Sequence, residues 1–200
     1  VIVATTGWAQ TPLDSLQVVS DVVEFSCGRE FSAVKHSDGT FVGFGRELWQ
    51  NAIDGVGDLT NLSVSTFSIG YWSGSAILEG GGVHVWGNGS GGAGSVPAGE
   101  VVSDIQSGYA HVIALRLDST IVSWGWNEYV QATAPSQSNV VQISAGYNHN
   151  LALLSDGAAI GWGRNLYAEA SPPASLRFVK VAAGWGAPSG GIDSTGHLHL

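Results

Sequence analysis

The chain has 200 residues, 44% of them hydrophobic and 12% charged, with 29 glycines and 6 prolines. That composition excludes disorder and asks for one folded domain rich in tight turns, and no apolar run approaches the ~20 residues of a membrane-crossing helix. Seven Lys and Arg against sixteen Asp and Glu give a formal net charge of −9, so nucleic acid and anionic membrane are poor partners.

The sequence begins at Val1 with neither a Met nor a signal-like segment, so any leader is read as removed or as lying outside it. Val3–Gly7 reads as a short strand running into a glycine, and its phase recurs. Gly7, Gly45, Gly87, Gly125 and Gly163 are spaced by 38, 42, 38 and 38 residues. A second series, Gly28, Gly70, Gly108, Gly146 and Gly184, steps by 42, 38, 38 and 38. Two series in phase define an internal repeat.

Cys27, the one cysteine, excludes an internal disulfide, and its place in an apolar strand predicts a small buried side chain. Asn61-Leu62-Ser63 and Asn88-Gly89-Ser90 fit the N-glycosylation pattern, which makes Asn61 and Asn88 candidate acceptors. Gly87–Gly92 formally reads G-x-G-x-x-G. It runs on through Gly94 to Pro97 without the helix and acidic residue that a dinucleotide site needs.

The most regular copies lie further on. Val101–His111 resembles Asn139–His149, and both continue into Ala-Leu, an Asp and Trp-Gly. Within one period the pattern predicts strands at Val140–Ala145, Asn150–Leu154 and Ala158–Trp162, with a hairpin at Ser155-Asp156-Gly157. A fourth strand is expected near Tyr167–Ala170, before Pro172-Pro173. Four strands of about five residues and four turns of about four fill roughly the observed period. No stretch shows sustained helical periodicity. Such small sheets cannot cover both faces alone, so the copies must stack. The expected fold is all-β, a β-propeller of four-stranded antiparallel blades.

In that fold Phe44, Trp86, Trp124 and Trp162 are equivalent, largely buried and packed between blades. His111 and His149 share one repeat position, where a structural role is expected: supporting the turn of the blade through ring hydrogen bonds. His197 and His199 read as a solvent-facing pair without a third ligand, so neither a metal nor another cofactor is expected.

The run V-x-x-I-x-A-G-x-x-H-x-x-A-L-x-x-D-G-x-x-x-x-W-G-x-N resembles the RCC1 (regulator of chromosome condensation) repeat. Val140–Asn165 matches it at nearly every marked position and Val102–Asn127 at most. The copies near Gly28 and Gly70 are degenerate, with Phe31 and Ser73 in place of His, and Gly80 in place of Asp. The resemblance covers almost the whole chain and implies a single propeller domain over residues 1–200. Propellers of this family usually have seven blades and five periods fit here, so either about two blades lie outside this sequence, the favoured expectation, or five blades close by themselves. The short repeats also resemble propeller-type β-lactamase inhibitors, whose corresponding loops are rich in aromatics and bind the partner.

Each leading glycine is followed by a variable pair: Arg29-Glu30, Tyr71-Trp72, Tyr109-Ala110, Tyr147-Asn148 and Trp185-Gly186. The repeat places these tips on one face, which makes Arg29, Tyr71, Trp72, Tyr109, Tyr147 and Trp185 candidate partner-binding residues. A second column, Trp49, Gly91, Tyr129 and Tyr167, is read as structural. No G-x-S-x-G elbow, H-E-x-x-H or P-loop is present. The reading is therefore a non-enzymatic scaffold for protein–protein interaction. The two glycosylation triplets, the scarce Lys, the absence of Met and the single Cys place it outside the cell or at its surface. A lectin-like propeller binding glycans is the alternative, and the family resemblance also admits a guanine-nucleotide exchange factor.

Overall fold

A computed structural model describes residues 3–4, 17–18, 20–28, 31–45, 56, 59–87, 90–186 and 188–200. β1 (Val3–Ala4) and β2 (Gln17–Val18) form a two-stranded antiparallel pair. Five three-stranded antiparallel sheets follow. They are β3 (Val22–Cys27), β4 (Phe31–His36) and β5 (Phe41–Gly45); then β6 (Val64–Ile69), β7 (Ser73–Leu78) and β8 (Val83–Gly87). After these come β9 (Val102–Ser107), β10 (His111–Arg116) and β11 (Ile121–Gly125), then β12 (Val140–Ala145), β13 (His149–Leu154) and β14 (Ala159–Gly163). β15 (Phe178–Ala182), β16 (Gly190–Asp193) and β17 (Leu198–His199) complete the set. In every sheet the strands pair in chain order, the simplest result of consecutive tight turns.

The sheets have three strands and not the expected four. Tyr167–Ala170, expected as a fourth strand, is a turn. Two local effects remove it from a ladder. Ala168 takes a left-handed backbone (φ 63), and the Tyr167 amide donates to the carboxylate of Glu169 (2.6 Å) instead of to a neighbouring strand. The preceding copy repeats both features, with Val130 at φ 67 and the Tyr129 amide donating to Gln131 Oε1.

Four of the five hairpins between second and third strands are fixed by an aspartate. Asp38, Asp118 and Asp193 accept from both the amide and the hydroxyl of the Thr two residues on, and Asp156 accepts from the Ala158 amide. Every first strand carries a register shift near its start. It leaves Val23, Ser65, Ser103, Val141 and Val179 out of the pairing and exposed.

Sheets pack face to face. Phe31, Ala33 and Phe41 of the first meet Val64, Phe67, Ile69 and Ala76 of the second. Ile77 meets Val102, Ile105 and Val112, and Ile113, Leu115 and Ile121 meet Val140, Ile143 and Ala152. Leu151 and Leu153 then meet Phe178 and Val181. First strands are also joined side by side. Ser26, Ser68 and Ser144 hydroxyls accept from the amides of Ile69, Ser107 and Ala183 in the next sheet, at 2.8–2.9 Å. Gln142 makes two such bonds to Val181, accepting from its amide and donating to its carbonyl. An edge strand's spare backbone groups are thus satisfied by the neighbour's side chains.

Cys27 is exposed, against the expectation of burial. The cause is its face. Phe25, two residues earlier, is 62% exposed, whereas Ile105 at the same repeat position is 1% exposed. Among the described residues no sheet packs on that face of the first sheet. Phe44 is half-buried there for the same reason, whereas Trp86 and Trp124 are buried. Trp162 is also half-buried. The four nonetheless stand one residue before the end of equivalent strands, and Trp124 and Trp162 make the same bond: Nε1 donates to the carbonyl of Ala93 (2.8 Å) or Gln131 (3.0 Å).

Candidate binding face

The leading glycines bring the tips together. A Cβ on Gly28, Gly70, Gly108 or Gly146 would collide with the carbonyl oxygen of the next glycine in the series. Only glycine lets consecutive sheets approach this closely. The tips are then laced by backbone bonds: Tyr71 N to Gly108 O (3.2 Å), Tyr109 N to Tyr147 O (3.0 Å) and Tyr147 N to Gly184 O (3.2 Å).

Side chains carried on these tips converge. Tyr71 lies 4.6 Å from Trp72 and 4.9 Å from Tyr109, centroid to centroid. Tyr109 lies 4.4 Å from Tyr147, and Trp185 lies 6.1 Å from Tyr147 and 6.2 Å from Tyr71. All five rings are half-buried, in tilted or edge-to-face contacts that suit aromatic quadrupoles. Arg29, the sixth candidate, lies outside the described residues.

The loop after Trp-Gly extends this surface in a way the sequence reading missed. Trp126 lies 5.7 Å from Tyr109 and 5.9 Å from Tyr129. Asn127 holds this loop by accepting from the Ala132 amide and donating to Thr133 Oγ1, and Asn165 does the same with Ala170 and Ser171. In the next copy Arg164 takes the place of Trp126, with its guanidinium 5.3 Å from the centre of the Tyr167 ring. Gln131 is replaced there by Glu169, whose carboxylate lies 3.4 Å from Arg164. The exchange of two residues together was legible as a column difference. Of the remaining members of the second column, Gly91 has φ 76, and Trp49 lies outside the described residues.

His111 and His149 are buried behind the tips, and each ring reaches the next sheet instead of its own turn. His111 Nε2 donates to Asn150 Oδ1 (2.8 Å), and Asn150 Nδ2 donates to the Gln131 carbonyl (3.0 Å). His149 Nε2 meets Ser189 Oγ (2.7 Å), whose hydroxyl donates to the Glu169 carbonyl (2.8 Å). Ser189, His149 and Glu169 superficially suggest a hydrolase, but the serine proton is engaged by a backbone carbonyl. The preceding copy builds the same bridge with an asparagine, which has no nucleophilic oxygen. Burial pushes the His111 pKa down to about 4 and lowers that of His149.

Elsewhere, His199 donates to Asp193 (2.9 Å) and His197 is exposed. Bonds from His199 and Thr195 hold the Asp193 carboxyl well below the usual range. Among the described residues no three His, Cys, Asp or Glu side chains gather as metal ligands. Asn61 is exposed on a short 3-10 turn, Leu59–Asn61, and Asn88 lies outside the described residues.

Repeated antiparallel sheets, stacked face to face and laced at one end, define a β-propeller-like repeat protein. Residues 102–131 and 140–168 match the Regulator of chromosome condensation (RCC1) repeat. Those two stretches carry RCC1-like repeats. No curated protein matches it. Among solved structures it is similar to the ectodomain of the Physcomitrella patens receptor kinase CR4 (TM-score 0.74, 18% identity, covering 92% of this chain and 51% of that one). It is also similar to Prp20p from Saccharomyces cerevisiae (TM-score 0.72, 14% identity, 88% and 56%). Human WBSCR16 is a third (TM-score 0.73, 17% identity, 92% and 63%). The chain spans about half to two-thirds of the length of these structures, and the likeness is one of fold.

Proposed function

We propose that the chain is a non-enzymatic binding scaffold whose partner is a protein, contacted through the aromatic tips. The observation that carries this reading is the convergence of Tyr71, Trp72, Tyr109, Tyr147 and Trp185, from four consecutive sheets, into one cluster. Half-buried, mutually braced rings lose little entropy on binding and offer large contact areas, the properties of interface hot spots. The first tip position is Tyr in three consecutive sheets and Trp in the fourth, while the next residue changes each time (Trp72, Ala110, Asn148, Gly186), which suits a partner without the symmetry of the repeat. Prp20p, of similar fold, is described with its binding to Gsp1p and histones, which supports proteins as the partner class.

Alanine at Tyr109, Tyr147 or Trp185 is expected to weaken partner binding by at least ~2 kcal/mol, roughly thirtyfold, in calorimetry with a ligand taken from an unbiased pull-down. Unchanged affinity of the folded fraction, with a drop in unfolding midpoint, sinks the reading: the rings then only cap the core. A glycan array run beside the pull-down tests the sugar alternative.

An extracellular or surface location is part of the proposal, supported by the exposed Asn61 of an Asn-Leu-Ser triplet. In natively expressed protein a glycan on Asn61 predicts a fall in intact mass after treatment with an N-glycan amidase. No change in mass argues against passage through a glycosylating pathway.

A further inference from the structure

The outer slope of the aromatic face has a chemistry of its own. Tyr109, Trp126 and Tyr129 form a continuous run of rings, and Glu128 is exposed in the turn between the last two. We infer that this slope takes a cationic side chain, arginine foremost, from the protein partner. The inference rests on the reading of this end as the binding face and adds the partner's chemistry.

Three observations carry it. The first is an exchange between neighbouring copies: the Trp126 and Tyr129 positions of one are the Arg164 and Tyr167 positions of the next. There the guanidinium lies 5.3 Å from the ring centre. The loop that presents the tyrosine is the same in both, down to the Asn127 and Asn165 bonds. A guanidinium is therefore already accommodated by this scaffold against this tyrosine, and the ring's quadrupole holds it there. In the earlier copy a second ring, Trp126, stands in the place of that arginine, and among the described residues no arginine lies over Tyr129.

The second observation is charge. Arg164 has its own carboxylate, Glu169, at 3.4 Å, whereas Gln131, in Glu169's position, is neutral. The acid nearest in sequence to Trp126 and Tyr129 is the exposed Glu128, which offers an incoming cation a carboxylate at a different position from Glu169. The third is the field of the whole chain. The net charge is −9, and all five hairpins at the far end of the sheets carry an acid: Asp38, Glu79, Asp118, Asp156 and Asp193. A cationic segment is drawn toward such a body and a polyanion is repelled.

The test uses two short peptides that differ in one respect: Ac-Gly-Arg-Gly-Arg-Gly-amide and its citrulline counterpart, which keeps the planar shape and loses the charge. Binding is read from the indole Nε1–H resonance of Trp126 during titration at low and at 0.5 M salt. The arginine peptide should bind at least fivefold more tightly than the citrulline peptide, with the margin shrinking at high salt. Tyr129→Phe should retain the preference, and Tyr129→Leu and Glu128→Gln should each cut it severalfold, with unfolding midpoints recorded for every variant. Equal binding of the two peptides, binding of neither, or a preference that survives Tyr129→Leu overturns the inference. If the pulled-down partner still loses affinity with Tyr147→Ala or Trp185→Ala, the binding face stands and only the cation assignment fails.

Discussion

Trp124→Ala should lower stability by about 3–5 kcal/mol, measured as a fall in urea midpoint at unchanged slope. The indole is 6% exposed and belongs to the cluster of Ile77, Ala93, Val102, Ile105, Val112, Ala114 and Val122, which spans the second and third sheets. Its removal opens a cavity between sheets that rigid ladders on both sides cannot close. The Ala93 carbonyl, which accepts from Nε1 at 2.8 Å, also loses that donor. Trp124→Phe separates the two effects: the ring remains, the bond goes, and the expected loss falls to about 1–3 kcal/mol. Trp162→Ala, at a half-buried position, should cost less than Trp124→Ala. A loss below ~1 kcal/mol for Trp124→Ala would show that the indole does not hold the sheets together.

Acid should destabilise the fold through His111 before the carboxylates matter. Its Nε2 proton is committed to Asn150, while Nδ1 is buried without a partner against Gly108. Protonation would therefore place an uncompensated charge in the core. The folded pKa is about 4, against an unfolded value near 6.5. Well above pH 6.5 both states are neutral and the contribution to stability is complete. Between about 6.5 and 4 the unfolded chain binds a proton that the folded chain refuses, so stability falls as pH falls, and the loss levels off below 4. The whole window corresponds to on the order of 3 kcal/mol, about 2 of it lost by pH 5. His149, shifted in the same direction, adds to the slope. Denaturant titrations at pH 7.5 and 5 should show the loss, and His111→Gln should flatten it. An unchanged slope in that variant would place the titration elsewhere.

The repeat, its period and the face on which the tips gather were legible because glycine leaves a strict positional record. At Gly108 or Gly146 a Cβ meets the next carbonyl, and at Gly87, Gly125 and Gly163 the backbone has φ of 96–102°, so no other residue drifts in. The strand count was misread because Tyr167–Ala170 has strand-like length and content, while the local bond that takes the Tyr167 amide recurs through different side chains, Gln131 in one copy and Glu169 in the next, and so leaves no single residue type to read. Cys27 was misplaced because alternation within a strand says which residues share a face and not whether another sheet covers it. Trp126 escaped notice since a column is easiest to see when it varies gently, and Trp to Arg looks like loss of a pattern. Its meaning appears only beside the matching change of Gln131 to Glu169.

The serine bonds between first strands have an evolutionary consequence. Ser26 and Ser68 join their sheets to the next ones just as Ser144 does, although the first two copies carry Phe31 and Ser73 where the third and fourth carry the bridging histidine. Redundant ties let one copy shed a buried residue without releasing its neighbours, as expected when each unit is stabilised mainly by those beside it. Drift can therefore proceed copy by copy, and each tip is free to specialise on its own schedule while the frame that displays it stays put.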